Sequence, residues 1–454
     1  MTETLSDSSA IDVSEGRRFV HVMPLAFINY ALAYLDRVNM GSAQSAMSKS
    51  LHLGENMAPT LQASFFVGYC LLQIPAAIFA AKRQKVKWFI FWALLLWGFL
   101  SALTGVIRNV PLLIADRVAL GAVEGIVLPV MLIYLTRWFT RPERSRSNAL
   151  LMLANPVTMT IASALCGWLI QHFDKVRFGQ FEGWQMMFIV EGLPSVVWAF
   201  VWLYAADESP ADAKWLTPRE ARNVQATLDK EQRRIPTISN FWRAFADRRV
   251  LIIGGMFLGL NSASYGLSLW LPTIVADGWG QKPALVGYLT AIPYFIAIFS
   301  AMAVAWASDR SLRRKRYAVG GMYIGGIAYI VAYLAVAHIT GRYGFLIAFL
   351  ALIVTGSCNY TPTAPTWAWL AEILPRNVVG ESMALINTFG AVGGFLGTLL
   401  AGMLKKHYSS GAAFAYLAGS FLLAGLLGSL VGDVPRDATE EPRGFEVITP
   451  GGKS

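Results

Sequence analysis

Hydrophobic and polar positions follow one another in long blocks along this chain, without the two-residue alternation of a half-buried strand. Residues 89–107 form a stretch of nineteen without a charged side chain, and residues 319–337 form a second. Because a hydrocarbon core ~30 Å thick needs ~20 helical residues, such blocks predict membrane-spanning helices. The short alternating segments of a membrane β-barrel are absent from the sequence.

Twelve such blocks can be placed, and they predict an all-α membrane protein with twelve transmembrane helices in two pseudo-symmetric six-helix halves. The predicted spans are 19–41, 58–81, 88–107, 111–139, 148–171, 184–206, 250–272, 284–307, 317–338, 343–366, 378–403 and 411–432. A weak internal echo supports the duplication, since Ser147 and Gly167 recur 235 residues later as Ser382 and Gly402. In transporters built this way the substrate site lies near the midplane between the repeats.

The longest polar segment separates the two sets of six spans and defines the domain organisation that we expect. The polar, acidic N-terminus has no apolar core of a cleavable signal peptide. The predicted units are a cytoplasmic tail at 1–18, a bundle at 19–206, a cytoplasmic linker loop at 207–249, a second bundle at 250–433 and a cytoplasmic tail at 434–454.

Composition and charge agree with a membrane protein and fix its expected orientation. The chain is 55% hydrophobic and 15% charged, against ~25% charged in a soluble domain. Of its 38 Lys and Arg residues, 28 lie in the tails and even-numbered loops and 8 in the odd-numbered loops. Positively charged loops stay in the cytoplasm, so both termini are predicted to be cytoplasmic. The net charge of +10 therefore gives no reason to expect nucleic acid as a partner.

Charged residues inside the spans are the strongest functional candidates, because each costs ~2.5–3.5 kcal/mol at a helix centre. They are Asp36, Arg37, Asp116, Arg117, Glu124 and Glu191. Arg117 and Glu124 are seven residues apart, nearly two helical turns, and therefore face the same way. Apolar neighbours on both sides make Glu124 a candidate proton carrier, and Asp36 is a second; a static salt bridge is the alternative. A structural role is favoured for Asp116. For Glu191 the sequence does not decide between a structural and a functional role.

Polar residues on the same faces complete the candidate site. Tyr30, Tyr34 and Arg37 form an i, i+4, i+7 stripe that offers two hydroxyls and a guanidinium. Tyr69, Asn155 and Asn387 are further candidates for lining the site, Asn155 because the following proline frees a backbone carbonyl. For the other polar residues in spans, packing between helices is the better interpretation.

The sequence holds no motif of an enzyme or of an ATP-driven pump. There is no Walker loop, the five histidines form no metal-binding pattern, and the three cysteines lie singly in apolar spans. We therefore expect a transporter rather than an enzyme, with no metal and no cofactor. We expect it to work with the lipid bilayer, as a monomer.

Several motifs resemble the anion:cation symporter family of the major facilitator superfamily. They are the segments at 34–41, 73–75, 117–124, 141–146, 183–185, 191–194, 270–272 and 308–310, together with Asn387. The resemblance implies a bacterial inner-membrane symporter that takes up a small organic anion with protons. It implies that Asp36 and Glu124 carry protons and that Arg117 pairs with the acids and releases them. Arg37 would bind the substrate carboxylate, and Tyr34, Tyr69 and Asn387 match substrate-contacting positions.

The sequence departs from the family pattern in two places. The loop motif between spans 2 and 3 lacks its aspartate, and span 7 holds no Arg or Lys for a second anion clamp. A single clamp at Arg37 favours a monoanion or a substrate held by aromatic and polar contacts. Motifs around Asn155 lean toward aromatic or hydroxy acids over sugar acids. An exporter of drugs or metabolites with the same fold is the alternative, and a transport-inactive sensor is disfavoured by the 43-residue linker.

Overall fold

The computed structural model describes residues 2–53, 57–82, 85–176, 179–232, 248–279, 282–339, 341–373 and 379–432. These residues form fourteen α-helices and one 3₁₀ turn, and none of them lies in a β-strand. Part of the predicted linker and the predicted C-terminal tail fall outside the described residues.

The N-terminal half contains six long helices. They are α1 (Thr2–Ser50), α2 (Met57–Lys82), α3 (Val86–Thr104), α4 (Val110–Thr136), α5 (Arg141–Val176) and α6 (Gly183–Ala205). Helix α1 begins inside the segment predicted to be a polar tail, residues 1–18, which contains no proline that would interrupt a helix. Pro24 lies further along, inside the helix. A 3₁₀ turn (Pro210–Asp212) and α7 (Pro218–Gln232) follow, so the predicted linker loop contains a helix.

The C-terminal half contains six spans in seven helices. They are α8 (Arg248–Trp279), α9 (Pro283–Ser311), α10 (Arg314–His338), α11 (Arg342–Cys358), α12 (Thr363–Ile373), α13 (Val379–His407) and α14 (Ser410–Leu430). The tenth predicted span is divided between α11 and α12. Pro362 and Pro365 lack the backbone donors that would continue the ladder, and the hydroxyl of Thr366 donates to the carbonyl of Pro362.

The fold prediction is confirmed. Eleven segments of the described chain are helical, long and apolar enough to cross a bilayer, and α2 occupies the predicted position of the remaining span. The two halves also meet at two corresponding crossings: α5 crosses α9, and α13, the counterpart of α5, crosses α2, the counterpart of α9. The weak internal sequence similarity between the halves is thus accompanied by a corresponding arrangement of their helices.

Glycines let the helices of each half approach closely. A Cβ at Gly121 would lie 1.9 Å from the carbonyl oxygen of Phe65, so only glycine permits this crossing of α2 and α4. In the other half, a Cβ at Gly397 would lie 2.0 Å from the carbonyl oxygen of Ser262, where α13 crosses α8. Such small-residue contacts are typical of membrane helices, which gain little from burying apolar surface against each other.

Helix α7 packs on the predicted cytoplasmic end of the N-terminal half. Trp215 stacks on His21 at a centroid distance of 4.3 Å and on Trp138 at 5.5 Å. Thr217 and Glu220 form a capping box at the start of α7, and the backbone N–H of Thr217 lowers the pKa of the Glu220 carboxyl. Burial raises the pKa of Asp207, which accepts a hydrogen bond from the Trp215 indole.

Two adjacent arginines of α1 contact this end very differently. Arg18 is fully buried and donates two hydrogen bonds to Glu143, at 2.6 and 2.8 Å, and one to the carbonyl of Trp138. The side chain of Arg17 is half exposed and makes one contact of 3.2 Å with Glu220. Exposed ion pairs contribute ~0.2–1 kcal/mol, whereas removing one partner of a buried pair costs ~3–5 kcal/mol.

We therefore expect R18M to destabilise the purified protein by about 3–5 kcal/mol, because Glu143 is left buried without its partner. The neighbouring variant R17M is the matched control and should cost less than about 1 kcal/mol. Denaturant unfolding in detergent, followed by tryptophan fluorescence, measures both. Equal losses in the two variants would contradict this account of the N-terminal half.

Candidate functional site

Arg37 lies at the centre of the molecule, where the two halves meet. Its guanidinium donates to Glu124 Oε2 of α4 at 3.4 Å and to the hydroxyl of Tyr265 of α8 at 2.8 Å. Arg37 and Glu124 are 8% and 1% exposed, so this ion pair is almost dry. One guanidinium thus joins a carboxylate of its own half to a hydroxyl of the other half.

Aromatic rings surround this guanidinium. Its central carbon lies 4.4 Å from the ring centre of Tyr34, 5.1 Å from that of Tyr69 and 5.8 Å from that of Phe65. The hydroxyl of Tyr30 donates to that of Tyr34 at 3.3 Å, as the predicted stripe requires. Ring faces attract a cation and exclude water, so the charge of Arg37 is held in place while few anionic partners reach it.

Asp36 is held apart from Arg37, although it is the preceding residue. Its carboxylate accepts hydrogen bonds from the Trp97 indole at 2.5 Å, from the Ser101 hydroxyl and from the Asn39 amide at 3.0 Å. Trp97 and Ser101 are one turn apart on α3 and therefore point to the same side. Within the described chain Asp36 makes no close ion pair, and its hydrogen-bond donors are all neutral.

Arg117 is fully buried, and none of its three side-chain nitrogens has a hydrogen-bond partner in the described structure. Its guanidinium carbon lies 5.4 Å from the ring centre of Phe65. The expected pairing of Arg117 with the acids is therefore absent from this conformation. Glu124 lies about 10 Å further along the same helix by the rise of the helix, and Arg37 reaches it from α1 instead.

The other predicted residues occupy separate places. Asp116 is buried near the start of α4 and accepts a hydrogen bond from Thr104 at 2.7 Å. Asn155 of α5 and Asn387 of α13 are half-buried, and the side-chain amide oxygen of Asn155 has no hydrogen-bond partner in the described structure. Neither asparagine contacts Arg37 through a hydrogen bond among the described residues. Helix α5 continues through Pro156.

Sequence reasoning missed the two donors that α3 supplies to Asp36. Trp97 and Ser101 lie in the stretch of nineteen uncharged residues, where they were interpreted as packing residues. Their spacing of four was the available signal, but nothing in the sequence shows which helix lies opposite. In the described part of the chain, no group of three His, Cys, Asp or Glu residues is placed to hold a metal.

Above the Arg37 cluster, the two halves close on each other at the predicted external end, where α1 and α5 end and α2 and α9 begin. A Cβ at Gly167 of α5 would lie 2.4 Å from the carbonyl oxygen of Pro283 of α9. Pro59 lies against Gly402, and the Ser268 carbonyl lies against Gly41. The Phe66 and Tyr265 rings meet at 4.7 Å nearer the middle. Close backbone contact therefore seals this end.

Comparison with known proteins identifies relatives over most of the chain. The sequence profile of the Major Facilitator Superfamily matches residues 26–398, and a second match covers 274–451. A putative tartrate transporter of Agrobacterium vitis is 29% identical over 407 residues, which are 89% of this chain and 87% of that protein. A quinolone resistance transporter of Acinetobacter baumannii is 28% identical over 413 residues, 89% and 92% of the two chains.

Solved structures share the fold. The inward-open xylose transporter XylE from E. coli matches with a TM-score of 0.70 and 16% identity, over 92% of this chain and 97% of that one. A bacterial homolog of the human lysosomal transporter Spinster, in an inward-facing conformation, matches with a TM-score of 0.68 and 17% identity, over 91% and 95%.

We expect G167L to separate α5 from α9, because a side chain there meets backbone atoms that cannot move aside. Nitroxide labels on cysteines at Val176 and Leu285, which are exposed near the ends of these helices, report the separation by pulsed electron resonance. The mean distance should lengthen in G167L. The control G320L adds a side chain where nothing lies within 4 Å of a Cβ and should leave the distance unchanged. An unchanged distance in G167L would contradict the proposed role of this crossing.

Proposed function

The chain belongs to the Major Facilitator Superfamily, and from this premise we propose that it is a proton-coupled importer of a small organic anion. As a member it is a multi-pass membrane transporter that handles small molecules, and it is not an enzyme. The substrate class, the coupling ion and the direction of transport are the parts that we propose.

One observation carries the proposal: Arg37 is paired with Glu124 in a nearly dry site between the halves. A substrate carboxylate that binds Arg37 has to take the place of Glu124, because the rings of Tyr34 and Tyr69 cover much of the guanidinium. Two carboxylates on one buried guanidinium would leave an excess negative charge. Binding of the anion is therefore easiest when Glu124 carries a proton.

Competition for one arginine links the proton to the substrate. A protonated Glu124 releases Arg37 to the incoming anion, and after the anion leaves, Glu124 loses its proton and pairs with Arg37 again. Asp36 is the second proposed proton carrier, since it is buried and has only neutral donors. Arg117 is the nearby cation that stabilises the ionised acids without a fixed hydrogen bond.

The residues of the C-terminal half around this site favour a carboxylate with ring or hydroxyl groups. Tyr265 contributes a hydroxyl to Arg37, and the Tyr294 hydroxyl donates to Ser268 at 3.4 Å. Tyr360 packs near Tyr294, with ring centres 6.4 Å apart. Two Agrobacterium vitis relatives are named putative tartrate transporters, which also supports a hydroxy acid. Asn155 and Asn387 are proposed contacts for a larger substrate.

Alternating access is proposed to follow from the two halves, residues 19–206 and 250–433, rocking about this site in a single chain. The glycine crossing of α5 and α9 closes the predicted external end in the present conformation. Release of the anion would then occur toward the other end. The charge bias of the loops supports an orientation with both termini in the cytoplasm. The bacterial relatives support the proposed location in a bacterial inner membrane.

The central prediction concerns Glu124. E124Q removes the titrating group while keeping its shape, so proton-driven accumulation of substrate should fall to the level of empty vesicles. Exchange of substrate across the membrane should persist, because Arg37 remains available. The measurement is uptake of a radiolabelled hydroxy or aromatic carboxylate, chosen by thermal-shift screening, into proteoliposomes with an inward proton gradient. The matched control is D116N, a buried acid outside the Arg37 cluster, which should keep accumulation.

Wild-type accumulation by E124Q would refute its role in coupling. An exporter is the second candidate, favoured by the similarity to the quinolone resistance transporter. If the chain exports, energised cells that express it should hold less ciprofloxacin than cells with the empty vector, and the carboxylate should not accumulate. Carboxylate accumulation that rises with the proton gradient supports the importer.

The proposed orientation has its own test. Alkaline phosphatase fused after residue 432 should be inactive, and green fluorescent protein at the same place should fluoresce, because the C-terminus is expected in the cytoplasm. A fusion between α13 and α14, at Tyr408, should give active phosphatase. The opposite pattern would overturn the orientation.

A further inference from the structure

A further buried acid, not yet assigned a role, lies in the N-terminal half outside the Arg37 cluster. Glu191 of α6 is 1% exposed. Its Oε1 accepts a hydrogen bond from the Cys166 thiol of α5 at 3.1 Å, and its Oε2 has no partner in the described structure. A thiol is a weak donor, so this carboxyl has far less support than Asp36 receives from its three donors.

One face of α1 connects this acid to Asp36. Asn39 donates from its amide to Asp36 at 3.0 Å, and Glu191 lies near the same side chain. The side-chain oxygen of Asn39 has no hydrogen-bond partner in the described structure. Ser42, one turn further along α1, lies near the Cys166 thiol. Helices α1, α5 and α6 thus enclose a polar chain that runs from one carboxyl to the other.

The charged groups around Glu191 are few. Asp36 is the charged neighbour from α1, and Cys166 is the titratable one from α5. Helix α3 contributes Trp97 and Ser101, which are neutral. The basic group of α4, Arg117, acts on Asp36. Among the described residues, no Lys or Arg donates a hydrogen bond to Glu191, so Glu191 has no hydrogen-bonded cation to offset its charge when Asp36 is also ionised.

We propose that Glu191 and Asp36 share a proton across Asn39, so that Glu191 holds the proton when Asp36 is ionised. In this step the O–H bond of the Asp36 carboxyl breaks and one forms on Glu191, while the total charge of the pair stays the same. Two coupled carboxyls lose their protons in two steps that belong to the pair. The inference rests on the proposed proton coupling: Glu191 would store a proton inside the N-terminal half while Asp36 changes its charge.

Cys166 provides a reporter that needs no substrate. An S–H group donates more strongly to a carboxylate than to a neutral carboxyl, so its infrared stretching band moves to lower frequency when Glu191 ionises. This band lies in a spectral window that other protein groups leave clear. A variant with C70S and C358S retains Cys166 as its single thiol, since the sequence has three cysteines. C166S in that background identifies the band by removing it.

We expect the S–H band of the single-thiol protein in lipid vesicles to shift with pH, and the shift to vanish in E191Q. D36N removes the neighbouring charge, so Glu191 should ionise at a pH lower by about one unit, the size expected of coupled sites. D116N is the control and should leave the midpoint unchanged, because Asp116 bonds to Thr104 instead. A band that does not respond to pH, or a midpoint that is the same in D36N and D116N, overturns the proposal.

This experiment is independent of the transport assay. If E124Q accumulates substrate normally while the S–H band behaves as expected, the coupling role of Glu124 fails and the proton-sharing pair stands. If the S–H band does not respond as expected while E124Q loses accumulation, the proton-sharing pair fails and the coupling role of Glu124 stands.

Discussion

A charge in the membrane interior has to be balanced by neighbouring groups, and the N-terminal half is arranged around this constraint. Arg37, Asp36, Arg117, Glu124 and Glu191 are all buried there. One close ion pair joins two of them, and neutral donors or aromatic rings support the others. Because no fixed set of salt bridges locks these groups, moving one proton changes which partner each charge prefers. A cluster with this property is suited to coupling and poorly suited to holding a rigid core together.

The two halves contribute different chemistry to the same site. The N-terminal half supplies the buried charges, while Tyr265, Ser268, Tyr294 and Tyr360 of the C-terminal half supply hydroxyls and rings. In the proposed function, the N-terminal half therefore recognises the charge of the substrate and the C-terminal half recognises its shape. When the halves rock, the hydroxyl contact between Tyr265 and Arg37 is a direct polar link at the site whose geometry has to change.

The fold could be predicted from sequence because length and hydropathy constrain a membrane helix strongly. Blocks of apolar residues placed all twelve spans, and loop charges gave the orientation that we propose. The division of the tenth span was missed, although Pro362 and Pro365 were visible in the sequence, because hydropathy alone does not record backbone donors. Helix α7 was missed because a charged amphipathic segment of this length resembles a polar loop.

The site could be predicted only in part. The cost of burying charge singled out residues that the structure does bury, but their partners depend on which helices touch. Periodicity along α4 placed Arg117 and Glu124 on one face, and the family resemblance implied that Arg117 pairs with the acids. In this conformation Glu124 pairs with Arg37 of α1. The donors to Asp36 come from α3, and the thiol beside Glu191 comes from α5. The seal between α5 and α9 depends on backbone contact at Gly167 and Gly287, and beside it the Gln171 side chain of α5 accepts a hydrogen bond from the backbone N–H of Ala284 at 3.2 Å. Backbone contacts of this kind do not depend on the side chains of the site, so the chemistry of the site can diverge while the gate stays the same.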